Sequence, residues 1–129
     1  VNGDYVTTID PYLYTLSVIL HPEHRPQEVI QVIDAEIERI QQGAISEEEL
    51  SKAVKQARAL FAYGTENITN QGYWLGYSEM FDSYEWFENF LPALEKVTVE
   101  DVIRVAKSCF AADRRVIGIY SPKDEGSAK

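Results

Sequence analysis

The chain has 129 residues, enough for one domain, and carries 12 lysine and arginine residues against 21 aspartate and glutamate residues, a net charge of -9. Because binding to a phosphate backbone needs clustered lysine and arginine, this balance argues against nucleic acids and anionic membrane surfaces as partners. Cys109 is the single cysteine, which excludes an intrachain disulfide and a four-thiolate metal site. His21 and His24 are the only histidines, so a metal centre or a histidine base would have to use one of them.

Two segments near the start have the composition of β-strands. Residues 5–9 and 12–20 are rich in β-branched and aromatic side chains, and Asp10-Pro11, a pair that favours a turn, separates them. In the second segment the even-numbered side chains from Tyr12 to Leu20 are large and apolar, so this face is predicted to pack on helices. A third short strand is predicted at residues 116–120, bounded by Pro122.

Helical periodicity begins after the second predicted strand. Apolar residues recur at intervals of three and four from Pro26 onward, and Gly43 follows them as a stop signal. Ser46 and Glu49 have the spacing of a capping box, which predicts a second helix that ends near Gly64 or continues with a kink towards Asn67.

The second half of the chain is predicted to be helical as well. Residues 70–94 fit one or two helices that break around Asp82-Ser83, and Pro92 predicts a further bend. A capped start at Thr98 opens a last helix, with Cys109 on its apolar face as a packing residue.

The order of these elements predicts an α+β fold, a mainly antiparallel sheet covered on one face by a helical layer. Residues 1–122 are expected to form a single domain and residues 123–129 a frayed polar tail. Three strands make a thin sheet, so either the domain dimerises or further strands lie outside this chain. The first residue is Val1 and strand-like sequence follows almost at once, from which we expect a fragment whose domain is incomplete at its N-terminal side.

The segment His21-Pro22-Glu23-His24 has the composition of a zinc site but the wrong spacing for one. An inverted zinc-peptidase motif is H-x-x-E-H, whereas this segment reads H-x-E-H and is interrupted by proline. Zinc needs three or four fixed ligands, and regular helix through Pro22 and Pro26 is disfavoured. We therefore predict no metal ligand here and an exposed connection between strand and helix.

No other residue set predicts catalysis. The serines lack a glycine-elbow context, and Glu47, Glu48 and Glu49 are explained by helix capping. Asn67-Ile68-Thr69 matches a glycosylation acceptor, which has meaning only in a protein secreted from a eukaryotic cell. The sequence accordingly predicts no catalytic, cofactor-binding or metal-binding residue in this chain.

The remaining candidate is an aromatic belt, defined as the eight rings between Tyr73 and Phe90. Aromatic side chains dominate buried area in small domains, so packing in the core is the favoured interpretation. The alternative is that some rings line a groove for an extended peptide or a partner domain, because eight rings in 18 residues exceed what one helix face can bury.

Several motifs in order resemble one known family, the inverzincin zinc metallopeptidases, which include insulinase, pitrilysin and the mitochondrial processing peptidases. The resemblance runs from about residue 10 to residue 122. The motifs that carry it are Ile45-Ser46-Glu47-Glu48-Glu49-Leu50, Gln56-Ala57-Arg58-Ala59, Tyr63-Gly64, Asn70-Gln71, Trp74-Leu75-Gly76, Val97-Thr98, Glu100-Asp101-Val102, Arg104-Val105-Ala106 and the closing residues 115–122.

The resemblance implies a repeated α+β domain that helps to enclose an unfolded peptide. The family's zinc ligands lie on an H-x-x-E-H helix in a different domain, and this chain lacks that motif, so no ligand is carried over. An arginine and a tyrosine of the family's C-terminal half can assist catalysis; Tyr5 lies near that region, but no matching arginine precedes it and neither role is transferred.

We therefore expect a C-terminal-type, non-catalytic domain of a zinc metalloendopeptidase that acts on peptides or unfolded protein. Its expected partners are the remaining domains of the same polypeptide or a partner subunit, with zinc held there and peptide bound by the whole protein. Two alternatives stay open: a domain of a catalytically inactive family member that serves as a scaffold, and a free-standing peptide-binding module. The expected environment is soluble, in a bacterial cytoplasm or periplasm, without membrane insertion or nucleic acid.

Overall fold

The computed structural model describes residues 1–10 and 12–121, and within them the protein is mostly helical. Two short strands, β1 (Asn2–Tyr5) and β2 (Tyr14–Ser17), are followed by five helices and a single 3-10 turn. The helices are α1 (Pro26–Gln41), α2 (Glu47–Gly64), α3 (Ile68–Phe81), α4 (Tyr84–Leu94) and α5 (Val99–Cys109). None of these helices is both long and apolar enough to cross a membrane.

The strands form one antiparallel hairpin, whose register places Asn2 opposite Ser17 and Tyr5 opposite Tyr14. The prediction of a mainly antiparallel sheet is therefore wrong, although the coarser α+β description holds. A two-stranded sheet leaves an outer edge on each strand, and such a hairpin is only marginally stable by itself in water. Both strands are exposed along their whole length.

The first strand lies earlier than predicted, at Asn2–Tyr5 instead of residues 5–9. Residues 6–9 lie outside the ladder, and two of them make other hydrogen bonds. The carbonyl of Thr7 accepts a hydrogen bond from the Tyr77 hydroxyl at 2.8 Å, and the Thr8 hydroxyl donates to the carbonyl of Asp10. Pro11, the second residue of the predicted turn, lies outside the described residues.

The predicted third strand is also wrong. Residues 116–120 have no strand pairing within the described part of the chain, and their apolar side chains face solvent, with Val116 98% and Tyr120 96% exposed. A strand exists only where a neighbouring strand accepts its hydrogen bonds, and the hairpin does not supply one here. Pro122, the predicted end of this strand, and the predicted tail at residues 123–129 lie outside the described residues.

Helix boundaries follow the capping signals. Ser46 accepts a hydrogen bond from the backbone N–H of Glu49 at 3.2 Å, and the Glu49 carboxylate accepts one from the Ser46 N–H at 2.9 Å. Thr98 and Asp101 make the same reciprocal pair at the start of α5, with both distances at 3.2 Å. Each pair satisfies backbone donors that a helix start leaves free. The predicted capped starts are thereby confirmed.

The other helix signals are also found in the structure. Gly43, just past α1, has a φ of 84°, a left-handed value that glycine adopts without strain. The helix that starts after Ser46 ends at Gly64, and the aromatic region breaks between Phe81 and Tyr84 as predicted. The bend expected at Pro92 does not end the helix there, because α4 continues to Leu94.

Three pairs of elements make the main contacts: β1 with β2, α3 with α4, and α1 with α5. The α1–α5 pair is joined by Gln41, whose side-chain amide donates to the carbonyls of Ala106 at 3.0 Å and Phe110 at 3.2 Å. Arg58 on α2 forms an ion pair with Glu95 beyond α4 at 2.7 Å. The helices are therefore joined pairwise, α1 with α5 and α3 with α4.

Candidate functional site

The side chains of the histidine segment, residues 21–24, do not meet at a common centre. The two imidazole rings lie 6.4 Å apart between centroids, and each faces a different carboxylate. His21 Nδ1 is 3.7 Å from the carboxylate of Glu23, whereas His24 Nδ1 is 3.3 Å from that of Glu28 on α1. All four side chains are exposed. The segment thus forms an exposed connection between β2 and α1, as the spacing predicts.

These residues do not fit the zinc ion that the resemblance implies for the family. Among residues 1–10 and 12–121, no group of three histidine, cysteine or carboxylate side chains is arranged to hold a metal ion. Zinc binding needs at least three ligands at a shared centre. No step of a metal-dependent reaction can therefore be assigned to His21, Glu23 or His24.

The aromatic belt joins three helices into one cluster of rings. On α3, Tyr77 contacts Phe81 with centroids 5.4 Å apart, and Phe81 meets Trp86 of α4 at 5.0 Å in an edge-to-face arrangement. Trp86 contacts Phe90, with ring centroids 5.5 Å apart, and Phe90 stacks on Phe61 of α2 at 5.1 Å. Separations and angles of this kind are those in which aromatic rings attract one another.

Most rings of the belt are half-buried, and Tyr73 and Tyr84 are exposed. The belt is therefore the packing layer between α2, α3 and α4 and has a second side open to solvent. The rings pack on one another, as the core interpretation predicts, although none of them is fully buried. The outer sides of Trp86 and Phe90 border a shallow groove, and the binding of a peptide or partner domain there stays a prediction. That groove runs along α4 and is lined by Asp82, Glu85, Trp86, Asn89 and Phe90.

A second apolar surface lies on the hairpin and on residues 18–20, which follow β2. Its even-numbered face, predicted to pack on helices, is the more covered one: Val18 and Leu20 are half-buried and Tyr14 contacts Phe110 edge-on at 5.3 Å. Ile19, on the opposite face, is 99% exposed. Large apolar side chains at this exposure normally mark a surface that another part of a protein covers.

Cys109 is exposed, so its prediction as a packing residue is wrong, because α5 turns Ala106 and not Cys109 towards α1. Tyr5 ends β1 and is exposed. Ser78 is fully buried, and its hydroxyl donates to the carbonyl of Leu75 at 2.9 Å, which explains a polar residue between packed helices.

Sequence reasoning missed the side chains that connect distant segments. Gln41 and Tyr77 donate hydrogen bonds to backbone carbonyls 65 and 70 residues away. Nothing in the local sequence distinguishes them from the neighbouring Gln42 or Tyr73.

Comparison with known proteins gives one match. Residues 1–57 match the Peptidase M16 inactive domain. Neither a curated protein nor a solved structure matches the chain. The matched segment contains the hairpin, α1 and the first part of α2, and it agrees with the resemblance that the motifs carry. Residues 1–57, less than half of the chain, are therefore similar to a non-catalytic M16 domain of the C-terminal type.

Proposed function

We propose that the chain is a non-catalytic domain of a zinc metalloendopeptidase, where it packs against other domains and forms part of the wall around a bound peptide. The match of residues 1–57 to an inactive M16 domain supports this role. The match covers the hairpin and residues 18–20, whose exposed apolar side chains include Tyr14, Leu16 and Ile19.

The observation that carries the proposal is the amount of surface left open. The chain exposes 10781 Å² to solvent. A compact monomer of 14.7 kDa exposes about 6,900 Å². Among the described residues only Ala106 and Ser78 are buried, so the helices and the hairpin lack a common core. A domain that completes its core against another domain is expected to look like this when seen alone.

Zinc would then be held elsewhere, in another domain of the same polypeptide or in a partner subunit. The geometry of His21 and His24 supports this, because the rings face separate carboxylates on the surface. In the proposed role, this chain contributes surface and packing, while the chemistry of peptide hydrolysis belongs to the domain that carries the metal.

Hydrogen exchange tests the packing role. In the isolated chain, the amides of β1 and β2 are expected to exchange nearly as fast as an unfolded peptide, since the hairpin is exposed throughout. In the complete reading frame, or in the complex with its partner subunit, the same amides should exchange at least a hundredfold more slowly. Strong protection in the isolated monomer would contradict the proposal and favour a free-standing module.

A peptidase assay tests the non-catalytic role. The purified 129-residue chain, supplied with zinc, is expected to leave fluorogenic peptides uncut. Cleavage that a chelator abolishes would overturn the proposal. An H-x-x-E-H motif in the rest of the reading frame, or in a chain encoded beside it, would distinguish a protease from an inactive scaffold.

A further inference from the structure

One asparagine of the chain is followed by glycine, a pair that is prone to lose the side-chain amide. The chain has four asparagines, and only Asn2 precedes a glycine, Gly3. Glycine has no Cβ that obstructs the approach to its backbone nitrogen, so this nitrogen can reach the side-chain carbon of the asparagine before it. The pair lies in β1, whose four residues are all exposed. The Asn2 amide is thus open to water and next to an unobstructed nucleophile.

The other three asparagines are held at the start of α3 or within helices. The side-chain oxygen of Asn67 accepts a hydrogen bond from the Asn70 N–H at 2.9 Å, and the Asn89 side-chain amide donates to the carbonyl of Glu85 at 2.8 Å. Asn70 is half-buried, and the backbone N–H that follows it, of Gln71, is bonded to the carbonyl of Asn67 at 3.0 Å. These three residues therefore serve as references that the same conditions should leave intact.

Strand geometry protects Asn2 only weakly. In a strand ψ is about 135°, and the peptide must rotate away from this value before the Gly3 nitrogen meets the Asn2 side-chain carbon. Asn2 pairs with Ser17 at the end of the ladder farthest from the turn, where the two strands separate first. A hairpin of two strands is only marginally stable in water. The isolated chain therefore reaches the reactive conformation often.

The packing of the hairpin requires glycine at position 3. The ring hydroxyl of Tyr14 lies so close over Gly3 that any larger residue would have to displace the ring. The ring is held there by Phe110, which it meets edge-on with centroids 5.3 Å apart. Bulky residues that would slow the reaction therefore do not fit beside Asn2 in the closed hairpin.

We propose that Asn2-Gly3 is a site of spontaneous deamidation whose products loosen the end of the hairpin. The Gly3 nitrogen forms a bond to Cγ of Asn2, the Cγ–Nδ2 bond breaks, and ammonia leaves with the proton of the Gly3 amide. Water then opens the resulting five-membered ring. Opening at Cγ gives aspartate, whereas opening at the main-chain carbonyl gives isoaspartate, in which the backbone passes through Cγ. Water is the only co-reactant, and nothing is oxidised or reduced.

Both products disfavour the pairing of β1 with β2. Isoaspartate adds one carbon to the backbone, so residue 2 loses its register opposite Ser17. Aspartate changes the net charge from -9 to -10 and puts a second carboxylate on the face of β1 that carries Asp4. The inference does not rest on the proposed function, because the reaction is intramolecular and is measured in the isolated chain.

The test follows two tryptic peptides of the full chain during incubation in mildly alkaline buffer. Because Arg25 precedes proline, the peptide of residues 1–39 contains Asn2 as its only asparagine, and the peptide of residues 59–96 contains the other three. Mass spectrometry should show that residues 1–39 gain a carboxyl group in two products, one of them a substrate for an isoaspartate methyltransferase. Residues 59–96 should stay unchanged. A synthetic peptide of residues 1–5 gives the rate without a hairpin, and the chain should react about threefold more slowly.

Two variants make the result specific, and circular dichroism confirms that each keeps its helices. Asn2→Gln keeps an amide but would need a larger ring, so residues 1–39 should stay unmodified. Tyr14→Ala removes the contact with Phe110 and should raise the rate about threefold, to that of the synthetic peptide.

Nuclear magnetic resonance measures the consequence for the hairpin. The cross-strand contact between residue 2 and Ser17 should be lost in the deamidated chain and kept in Asn2→Gln. The proposal would be overturned if Asn2 stayed intact while the synthetic peptide reacted, or if residues 59–96 reacted as fast as residues 1–39. A deamidated chain that keeps the contact with Ser17 would also overturn it.

Discussion

The helical layer and the strand segments of this chain satisfy their backbones in opposite ways. Each helix closes its own hydrogen bonds, and side chains such as Ser46 and Thr98 complete its first turn. The hairpin has two outer edges, and residues 116–120 are extended without a neighbouring strand in the described part of the chain. Helices α2, α3 and α4 also share an aromatic layer, whereas apolar side chains of the extended segments, such as Ile19 and Val116, face water.

The comparison shows which part of the fold the chain can stabilise alone. A helix needs residues within four positions of one another, while a strand needs a partner that can be far away in sequence or in another chain. Mutations in the helical layer should therefore change the free energy of unfolding of the isolated chain. Mutations in the hairpin should have an effect mainly when its partner is present.

The largest expected effect is at the centre of the helical layer. Phe61 stacks on Phe90 at 5.1 Å and contacts Phe87 at 5.2 Å. Phe61→Ala should lower the free energy of unfolding by about 2–3 kcal/mol, less than for a fully buried ring because Phe61 is half-buried. Urea unfolding followed by circular dichroism measures this. Tyr63→Ala on the same helix, at a position 74% exposed, is the control and should cost about 0.5 kcal/mol or less. Equal effects would show that the belt is not a core.

The next effect concerns the contact between α1 and α5. Gln41→Leu removes two hydrogen bonds to the carbonyls of Ala106 and Phe110 and should destabilise the chain by about 1–2 kcal/mol, because those bonds are partly buried. The matched control is Gln42→Leu, whose side chain bonds only to the exposed Glu38. The same unfolding assay compares the two, and a larger loss for Gln42→Leu would contradict the assignment.

A smaller effect is expected where the helical layer meets the hairpin loop. Tyr77→Phe removes the hydrogen bond from the ring hydroxyl to the carbonyl of Thr7 at 2.8 Å and should cost about 1 kcal/mol. Because the ring itself stays in the belt, hydrogen exchange should speed up near residues 6–9 and remain unchanged in α3. Faster exchange throughout α3 would mean that the hydroxyl supports the belt instead of the loop. Tyr73→Phe is the control, since its ring lies on the same helix.

The capped start of α5 predicts a dependence on acid. Arg104 and Thr98 hold the pKa of Asp101 to about 2 by hydrogen bonds to its carboxylate. An aspartate in an unfolded chain has a pKa of about 3.9, so folding favours the charged form. The resulting stability is complete above about pH 4 and is lost as the pH falls towards about 2.

Urea midpoints measured between about pH 5 and about pH 2 check this expectation. The parent chain should lose stability over that window, and Asp101→Asn should reduce the loss. The Ser46 backbone N–H and Arg39 lower the pKa of Glu49 in the same way, so a residual acid dependence should remain in that variant. Glu100→Gln, one residue before Asp101, serves as the control. A pH profile that Asp101→Asn leaves unchanged would contradict the prediction.

The smallest effect in the isolated chain should come from the exposed apolar surface at the hairpin and residues 18–20. Ile19 is 99% exposed, so Ile19→Ser should change the free energy of unfolding by no more than about 0.5 kcal/mol. In the assembled protein the same variant should weaken association, because an apolar side chain leaves its contact. Size-exclusion chromatography with the partner measures this, with Glu23→Gln as a surface control. A large loss of stability in the isolated chain would break the contrast between the two regions.

The sequence predicted the helices well because their signals are local. The reciprocal pairs at Ser46 and Thr98, the stop at Gly43 and the break before Ser83 each depend on residues within one turn. It predicted β1 in the wrong place because the position of a strand depends on its partners. Here Tyr5 pairs with Tyr14 in the ladder, and the carbonyl of Thr7 accepts a hydrogen bond from Tyr77. The exposed Cys109 was mispredicted because helical spacing gives a stripe of apolar residues but not the orientation of that stripe against α1.

The candidate surfaces were predictable only in part. The belt could be identified from its composition, and the lack of an H-x-x-E-H motif argued against zinc ligands in this chain. The groove along α4 was not predictable, because it depends on how Phe81 and Trp86 meet across the break between two helices. Gln41 likewise acquires its role only when α5 comes next to α1.

The bond between Gln41 and Ala106 also bears on the order in which the chain folds. The two residues are 65 positions apart, and the chain between them contains α2, α3 and α4. Closing a loop of that length costs more entropy than joining neighbouring helices such as α3 and α4. We therefore expect α3 and α4 to pair early and α1 to meet α5 late, so that Gln41→Leu speeds unfolding more than it slows folding.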